Sequence, residues 1–325
     1  MWRLRHDDDL RMRMRKAYND RSEWIVGRRL LDETPPRPDL EYPERGGLHD
    51  VFEAENIWHA GSWWLQQSAT NLDELKALLD RVEARLENGL RDLLLPDNWE
   101  AEKTRLMAEG VRPRLYRGQR GPVTFAASIY GAENLIFLIM ENPDVAIRFR
   151  DLILRSMLEI GRIFDEEAGY TPETAPHGFS FADDNSMLLN PDMYELFGYP
   201  ILKAIFERYS PDPGDRRHQH SDSPMGHLLP ILGRVELTSV NFGPTVMADD
   251  IRRHLPQAVI HGVLAPFVFM RNQSKEIVRQ FRRDYEMTKT SRGLVFATAG
   301  SINNGSSLAS LRLIMSTIQC EGRYA

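Results

Sequence analysis

Residues 178–222 read GFSFADDNSMLLNPDMYELFGYPILKAIFERYSPDPGDRRHQHSD, and this stretch decides the fold. A short apolar run, GFSFA, ends on two aspartates, as a strand ending in a polar turn would. PDMYELFGYPILKAIFERY (191–209) then spaces its apolar residues as a helix does, and RRHQHSD (216–222) reads as the next strand. The alternation continues toward the C-terminus. SPMGHLLPILG is helical, VELTSVNF a strand, ADDIRRHL helical and AVIHGVLAP a strand. KEIVRQFRRDYEMTKT is a helix, GLVFATAGS a strand and SLASLRLIMSTIQ a final helix. Upstream, PVTFAASI (122–129) reads as a strand, followed by helix in ENLIFLIM and in PDVAIRFRDLILRSMLEIGRIFDEEA (143–168).

Regular βα alternation predicts a parallel sheet with helices packed outside it. A doubly wound sheet should show a glycine-rich phosphate turn after an early strand, and the chain has none. The expectation is therefore an α/β chain built as a (β/α)8 TIM-type barrel. Further upstream, NLDELKALLDRVEARLENGL (71–90) places Leu72, Leu75, Leu79, Val82 and Leu86 on one helical face, with Asn71 as its cap. TPPRPDLEYPERGG (34–47) cannot be regular helix, because its four prolines remove donors and force extended backbone before each. Residues 1–45 are thus expected to form a helical arm and linker, and residues 46–325 the barrel.

The chain has 325 residues, 42% of them apolar and 27% charged, which suits one globular domain with a large core. A net charge of −6 provides no global field for nucleic acid. Arg3, Arg5, Arg11, Arg13 and Arg15 cluster near the start, but Asp7 to Asp9 interrupt them, as on a solvated helix face or a partner contact. No apolar run approaches the roughly 20 residues that span a bilayer, and the charged start lacks a signal peptide's apolar stretch. A single cysteine, Cys320, excludes an internal disulfide and a cysteine-rich zinc module. The chain is expected to be cytoplasmic, without nucleic-acid or membrane partners.

In a barrel the working residues stand at the C-terminal ends of the strands. His218 and His220 lie two apart on a strand, so both imidazoles face one side and could supply two metal ligands; Asp222 continues that parity. Asp183 and Asp184 end a strand, and adjacent strand residues face opposite ways, so one of the two should enter the mouth as ligand or general base. His261 could be a third ligand, a proton donor or a supporting contact. His59, Trp63, Tyr130, Asn241 and Ser301 are the candidates for substrate binding. His59 lies among Trp58, Trp63 and Trp64, a cluster that could roof a pocket for a flat or apolar ligand, or pack in a core or an oligomer interface. His177 precedes a strand and belongs at the opposite end, while His227 and His254 lie on helical patterns. No nucleophile elbow, phosphate loop or H-E-x-x-H helix occurs.

From about residue 68 onward the chain resembles the uroporphyrinogen decarboxylase superfamily, which includes zinc-dependent methyltransferases acting with cobalamin proteins. The resemblance runs in order through NLDELKAL, GPVTFAASIYGAENLIFLIMENPDVAIRF, FADDNSMLLNPDMYELFGYPILKAIFE, HQHSDSPMGHLLPIL, VELTSVNFG, HLPQAVIHGVLAP and GLVFATAGSINNGSSLASLRLIM. It implies a distorted barrel, often dimeric, with its site at the C-terminal mouth. Methyltransferases of this group hold zinc with a His-x-Cys pair and a later cysteine. Here those positions resemble His218-Gln219-His220 and Ser301, a harder set suited to iron, manganese or an oxygen-rich zinc site. The R-Q-A-G-R-Y segment with which the decarboxylases grip carboxylates is absent, which argues against porphyrin decarboxylation. So is the D-x-H-x-x-G signature of a cobalamin module, and any corrinoid would arrive on a partner protein.

The leading expectation is a metal-dependent enzyme transferring a methyl or other one-carbon group on a small substrate, with zinc or iron held by His218 and His220. The alternatives are a metal-independent decarboxylase or lyase gripping its substrate with Arg112, Arg114 or Arg117, a divergent iron-dependent biosynthetic enzyme, and a non-catalytic barrel subunit.

Overall fold

The computed structural model describes residues 3, 6–59 and 62–323. Arg5, of the N-terminal basic cluster, lies outside them. Six strands form one parallel sheet: β3 (Gly118–Arg120), β4 (Phe179–Ala182), β5 (Arg217–Ser221), β6 (Ser239–Phe242), β7 (Val259–His261) and β8 (Leu294–Val295). They lie side by side in chain order, so every connection steps to the adjacent strand. Helices fill the connections: Pro191–Tyr209 after β4, Leu229–Gly233 after β5, Ala248–His254 after β6, Ser274–Thr288 after β7 and Leu308–Glu321 after β8. The expected α/β parallel sheet with outer helices is present; among the described residues it has six strands where the (β/α)8 expectation has eight. Among the described residues β3 and β8 are its edges. The segment before β3 supplies helices instead, chiefly Leu72–Asn88 and Trp99–Ala108, with one antiparallel hairpin of β1 (Asn56–His59) and β2 (Ser62–Leu65).

The strands alternate strictly. Phe179, Phe181, Val240, Phe242 and Ile260 are buried against the helices. The other face carries Ser180, Ala182, His218, His220, Ser239, Asn241 and His261, all partly accessible. A mostly apolar outer face, interrupted by the buried Gln219 and Ser221 of β5, packs against the helices, and the inner face is left largely polar and partly accessible. Register stacks that inner face into rows. Gly118, Ser180, His218 and Ser239 form one; Arg120, Ala182, His220 and Asn241 form the next, one layer nearer the C-terminal mouth.

One element departs from the sequence reading. PVTFAASI is a helix, Pro122–Tyr130, and not a strand. Its apolar run is buried nearly all round, and such a run has no period that separates strand from helix. Pro122 at its first turn and the N-terminal tie described below set the helix. The other long helices follow the expected faces. Asn71 caps Leu72–Asn88 by accepting the Glu74 N–H at 3.0 Å. Pro143–Glu167 turns Phe149, Leu152, Ile153, Met157 and Ile160 inward and packs against Leu72–Asn88 and Pro191–Tyr209. The N-terminal helix Asp8–Val26 lies along the C-terminal helix Leu308–Glu321, which ties the arm to the end of the sheet. Among the described residues no single helix is long and apolar enough to cross a membrane.

Candidate metal centre and substrate cleft

The β4–β5 register pairs Ala182 with His220. Continued two residues further, it sets Asp184 beside Asp222, just past the strand ends. The Asp222 N–H donates to Asp184 Oδ1 at 2.7 Å, and Nε2 of His220 lies 3.5 Å from Asp222 Oδ1. Ligand atoms of Asp184, His220 and Asp222 all fall within 4.8 Å of one another, close enough to share one cation. Burial and the nearby Asp184 push the Asp222 carboxyl above its ordinary range, while His220 works the other way. Two carboxylates and an imidazole suit a hard or borderline divalent ion such as iron, manganese or an oxygen-ligated zinc. No thiolate is present: Cys320 is exposed on the last helix.

His220 is held from behind. Its Nδ1 lies 2.7 Å from Asn241 Oδ1, and the Asn241 amide nitrogen donates to the His261 carbonyl at 2.5 Å. That commitment makes Oδ1 the acceptor, so Nδ1 carries the proton and Nε2 keeps its lone pair for the cation side. Two glycines permit this closeness. A Cβ on Gly262 (φ +101°) would stand 2.3 Å from the Asn241 amide nitrogen, and one on Gly300 (φ +76°) 2.5 Å from the Asp222 carboxylate. Both also use left-handed backbone, which other residues adopt at a cost.

His218 is placed differently from the expected pair. It shares the face of His220 but lies one row deeper and outside the three-residue cluster. Its Nδ1 meets Ser239 Oγ at 2.8 Å, and its ring stands edge to face with His261, centroids 6.2 Å apart. Burial, then the charges of Arg216, His261 and His220, push its pKa down to about 4, so it is a neutral imidazole. His261 is likewise outside the cluster and serves through its carbonyl.

Of the aspartate pair, Asp184 enters the mouth and Asp183 turns inward. Asp183 is fully buried, and its Oδ1 accepts the Thr124 N–H at 2.7 Å, tying β4 to the N-terminus of the Pro122–Tyr130 helix. Burial raises its pKa to about 6.

Beside the cluster opens a cleft of about 590 Å³, lined by Trp63, Trp64, Gln119, Arg120, Thr124, Ser128, Asp184 and Asn185 among others. The β1–β2 hairpin forms one wall with its exposed indoles, and Thr124 and Ser128, one helical turn apart, form another. Arg120 is the residue that sequence reasoning missed. It is partly buried at the end of β3, and burial lowers its pKa while Asp184 opposes that shift. Nη1 donates to Ser128 Oγ at 3.1 Å, and among the described residues no carboxylate forms an ion pair with it.

The remaining candidates lie elsewhere. Tyr130 is buried in the helix and does not line the cleft, His59 stays on the exposed hairpin, and Ser301 is exposed beyond Gly300. Arg117 pairs with Asp165 at 2.8 Å, and Arg112 and Arg114 lie at the opposite end of β3, so none of the three grips a ligand in the mouth. A second cluster, His177 with Asp212 and Asp215, sits at the N-terminal end of the strands, away from the mouth.

Comparison with known proteins agrees with this placement of the fold. The family model for uroporphyrinogen decarboxylase (URO-D) matches residues 105–320, well over half of the chain. No curated protein sequence matches. A solved methyltransferase from Methanosarcina mazei superposes with a TM-score of 0.57 at 12% identity, covering 94% of this chain and 84% of that one. At that identity the likeness shows a shared fold.

Proposed function

Because the chain belongs to the uroporphyrinogen decarboxylase family, we propose that it is a metal-dependent enzyme transferring a methyl or other one-carbon group on a small anionic substrate. The observation that carries this reading is the Asp184–His220–Asp222 cluster at the strand ends, backed by Asn241. Family and structural neighbour are both enzymes, the neighbour a methyltransferase. The cation would be held by Asp184, His220 and Asp222, which replaces the His218–His220 pair as the ligand set. A divalent ion bound there would supply Lewis acidity toward the reacting group.

The chain's own residues do the rest. Arg120 presents guanidinium N–H groups to a carboxylate or other oxyanion in the cleft, a charge-assisted contact that fixes the substrate's orientation. Trp63 and Trp64 cover its apolar part and keep water from one side. Asn241 holds His220 in the tautomer with Nε2 free. If the group donor is a corrinoid, a partner protein carries it, since the chain has no cobalamin signature.

Arg120 also favours a second reading, a decarboxylase or lyase in which that arginine grips the departing or neighbouring carboxylate without metal. The two separate in one assay. Anaerobic protein is tested for methyl transfer from methylcobalamin to a thiol, and for CO₂ release from small carboxylates, before and after exhaustive chelation. Transfer lost on chelation and restored by a divalent ion supports the first reading. CO₂ release that survives chelation replaces it with the second.

A further inference from the structure

At the N-terminal end of β3, away from the mouth, the linker and the approach to the sheet enclose a pocket of about 350 Å³. Arg45, Arg112 and Arg114 line it together with Glu41 and Tyr42. Many arginines elsewhere are matched to carboxylates: Arg81 and Arg85 to Glu53, Arg148 to Asp80 and Glu83, Arg162 to Glu159 and Glu166. Among the described residues the three pocket arginines have no such partner within salt-bridge distance. Three like charges converge where the fold does nothing to neutralise them, apart from Glu41.

Two of the three, Arg45 and Arg112, are nevertheless held against aromatic rings. The Arg45 guanidinium stacks 3.8 Å over the Phe164 ring and lies 5.7 Å from that of Trp99. Arg112 sits 5.0 Å over Tyr170, with one contact to the Ala168 carbonyl at 3.4 Å. Stacking on ring faces occupies the flat side of a guanidinium and leaves its N–H edge for a ligand. Arg45 also has a buried Nη1 with no hydrogen-bond acceptor, an unmet donor that ordinarily signals a missing partner. Burial and the neighbouring Arg114 both pull the Arg45 pKa down, a repulsion that a bound anion would relieve.

We propose that this pocket binds phosphate, free or as the phosphate group of a small ester. Three forked cations against one carboxylate leave a net charge matched to a dianion, and guanidinium edges suit the tetrahedral oxygens of phosphate. The volume is at the small end of ligand pockets, enough for a phosphate with a short organic portion. The site is separate from the mouth and independent of the metal reading.

Calorimetric titration of the protein with inorganic phosphate and with glycerol 3-phosphate tests it. The variants are Arg112→Gln and Arg114→Gln, both at exposed positions where folding should survive, with Arg120→Gln as the control for anion binding at the mouth. Wild type and Arg120→Gln are expected to bind, and each pocket variant to bind about tenfold or more weakly, as loss of a charge-assisted contact implies. Tighter binding of glycerol 3-phosphate identifies an ester as the ligand; equal or tighter binding of phosphate identifies the free ion. The proposal is overturned if wild type binds neither probe at millimolar concentration, if both pocket variants bind as wild type does, or if only Arg120→Gln loses binding.

Discussion

The side-chain oxygen of Asn241 lies 2.7 Å from Nδ1 of His220, and the same amide gives its hydrogen to the backbone carbonyl of His261. Three adjacent strands thereby cooperate to fix one imidazole. Supporting contacts of this kind commonly carry 10- to 100-fold in metal affinity. Asn241→Leu should therefore weaken divalent-cation binding by about that factor while the circular dichroism spectrum stays unchanged. Unaltered affinity for Mn²⁺ in a calorimetric titration would remove Asn241 from the account.

Gly262→Ala tests the same contact from the backbone. A methyl group there meets the Asn241 amide at 2.3 Å and must also adopt left-handed backbone. The expected cost is about 1–3 kcal/mol of folding stability, read from chemical denaturation. Cation affinity should fall with it, as in Asn241→Leu. A variant as stable as wild type would mean that the loop before Leu264 has room that the geometry denies.

Arg120→Gln separates substrate from metal. Removing a charge-assisted contact costs about 1.5–3 kcal/mol, so benzoate, a carboxylate with a flat ring for the indoles, should bind about tenfold or more weakly. Metal content should not change, because Arg120 is not among the cluster's ligands. Loss of metal with retained benzoate binding would reverse the assignment.

Acid stability has a specific source outside the site. Glu53 hydrogen-bonds Arg81 and Arg85 on the Leu72–Asn88 helix, and these partners hold its pKa down to about 2 from an ordinary 4.5. A depressed carboxyl contributes stability that is complete above its unfolded-state value and lost as pH falls toward the folded one. Glu53→Gln should thus be less stable than wild type near neutrality, by about 0.2–1 kcal/mol per exposed pair. The difference should shrink between about pH 4.5 and pH 2. Urea denaturation across that range measures it; a gap independent of pH would assign the effect to packing.

Much of this was legible in the residues. The strands β4 to β8 and the helices between them follow from the alternation of short and long apolar segments. Parity alone puts His218, His220 and Asp222 on one side of β5. Parity cannot say which neighbours reach across from the next strand, and that is why the proposed cation cluster differs from the His218–His220 pair. The β4–β5 register brings Asp184 level with Asp222, whereas His218 lies two residues lower, about 7 Å along the strand. PVTFAASI misled because a run buried on every side has no readable period. Arg120 was missed because β3 is only three residues long and polar, too short to register as a strand.

The central claim is that Asp184, His220 and Asp222, and not His218, hold a cation. Elemental analysis of anaerobically purified wild type, His218→Ala and His220→Ala, after reconstitution with Fe²⁺, Mn²⁺ or Zn²⁺, tests it most directly. The account predicts near-stoichiometric metal in wild type and in His218→Ala, and loss of it in His220→Ala. Equal retention by both variants, loss confined to His218→Ala, or no metal in any of the three would contradict it.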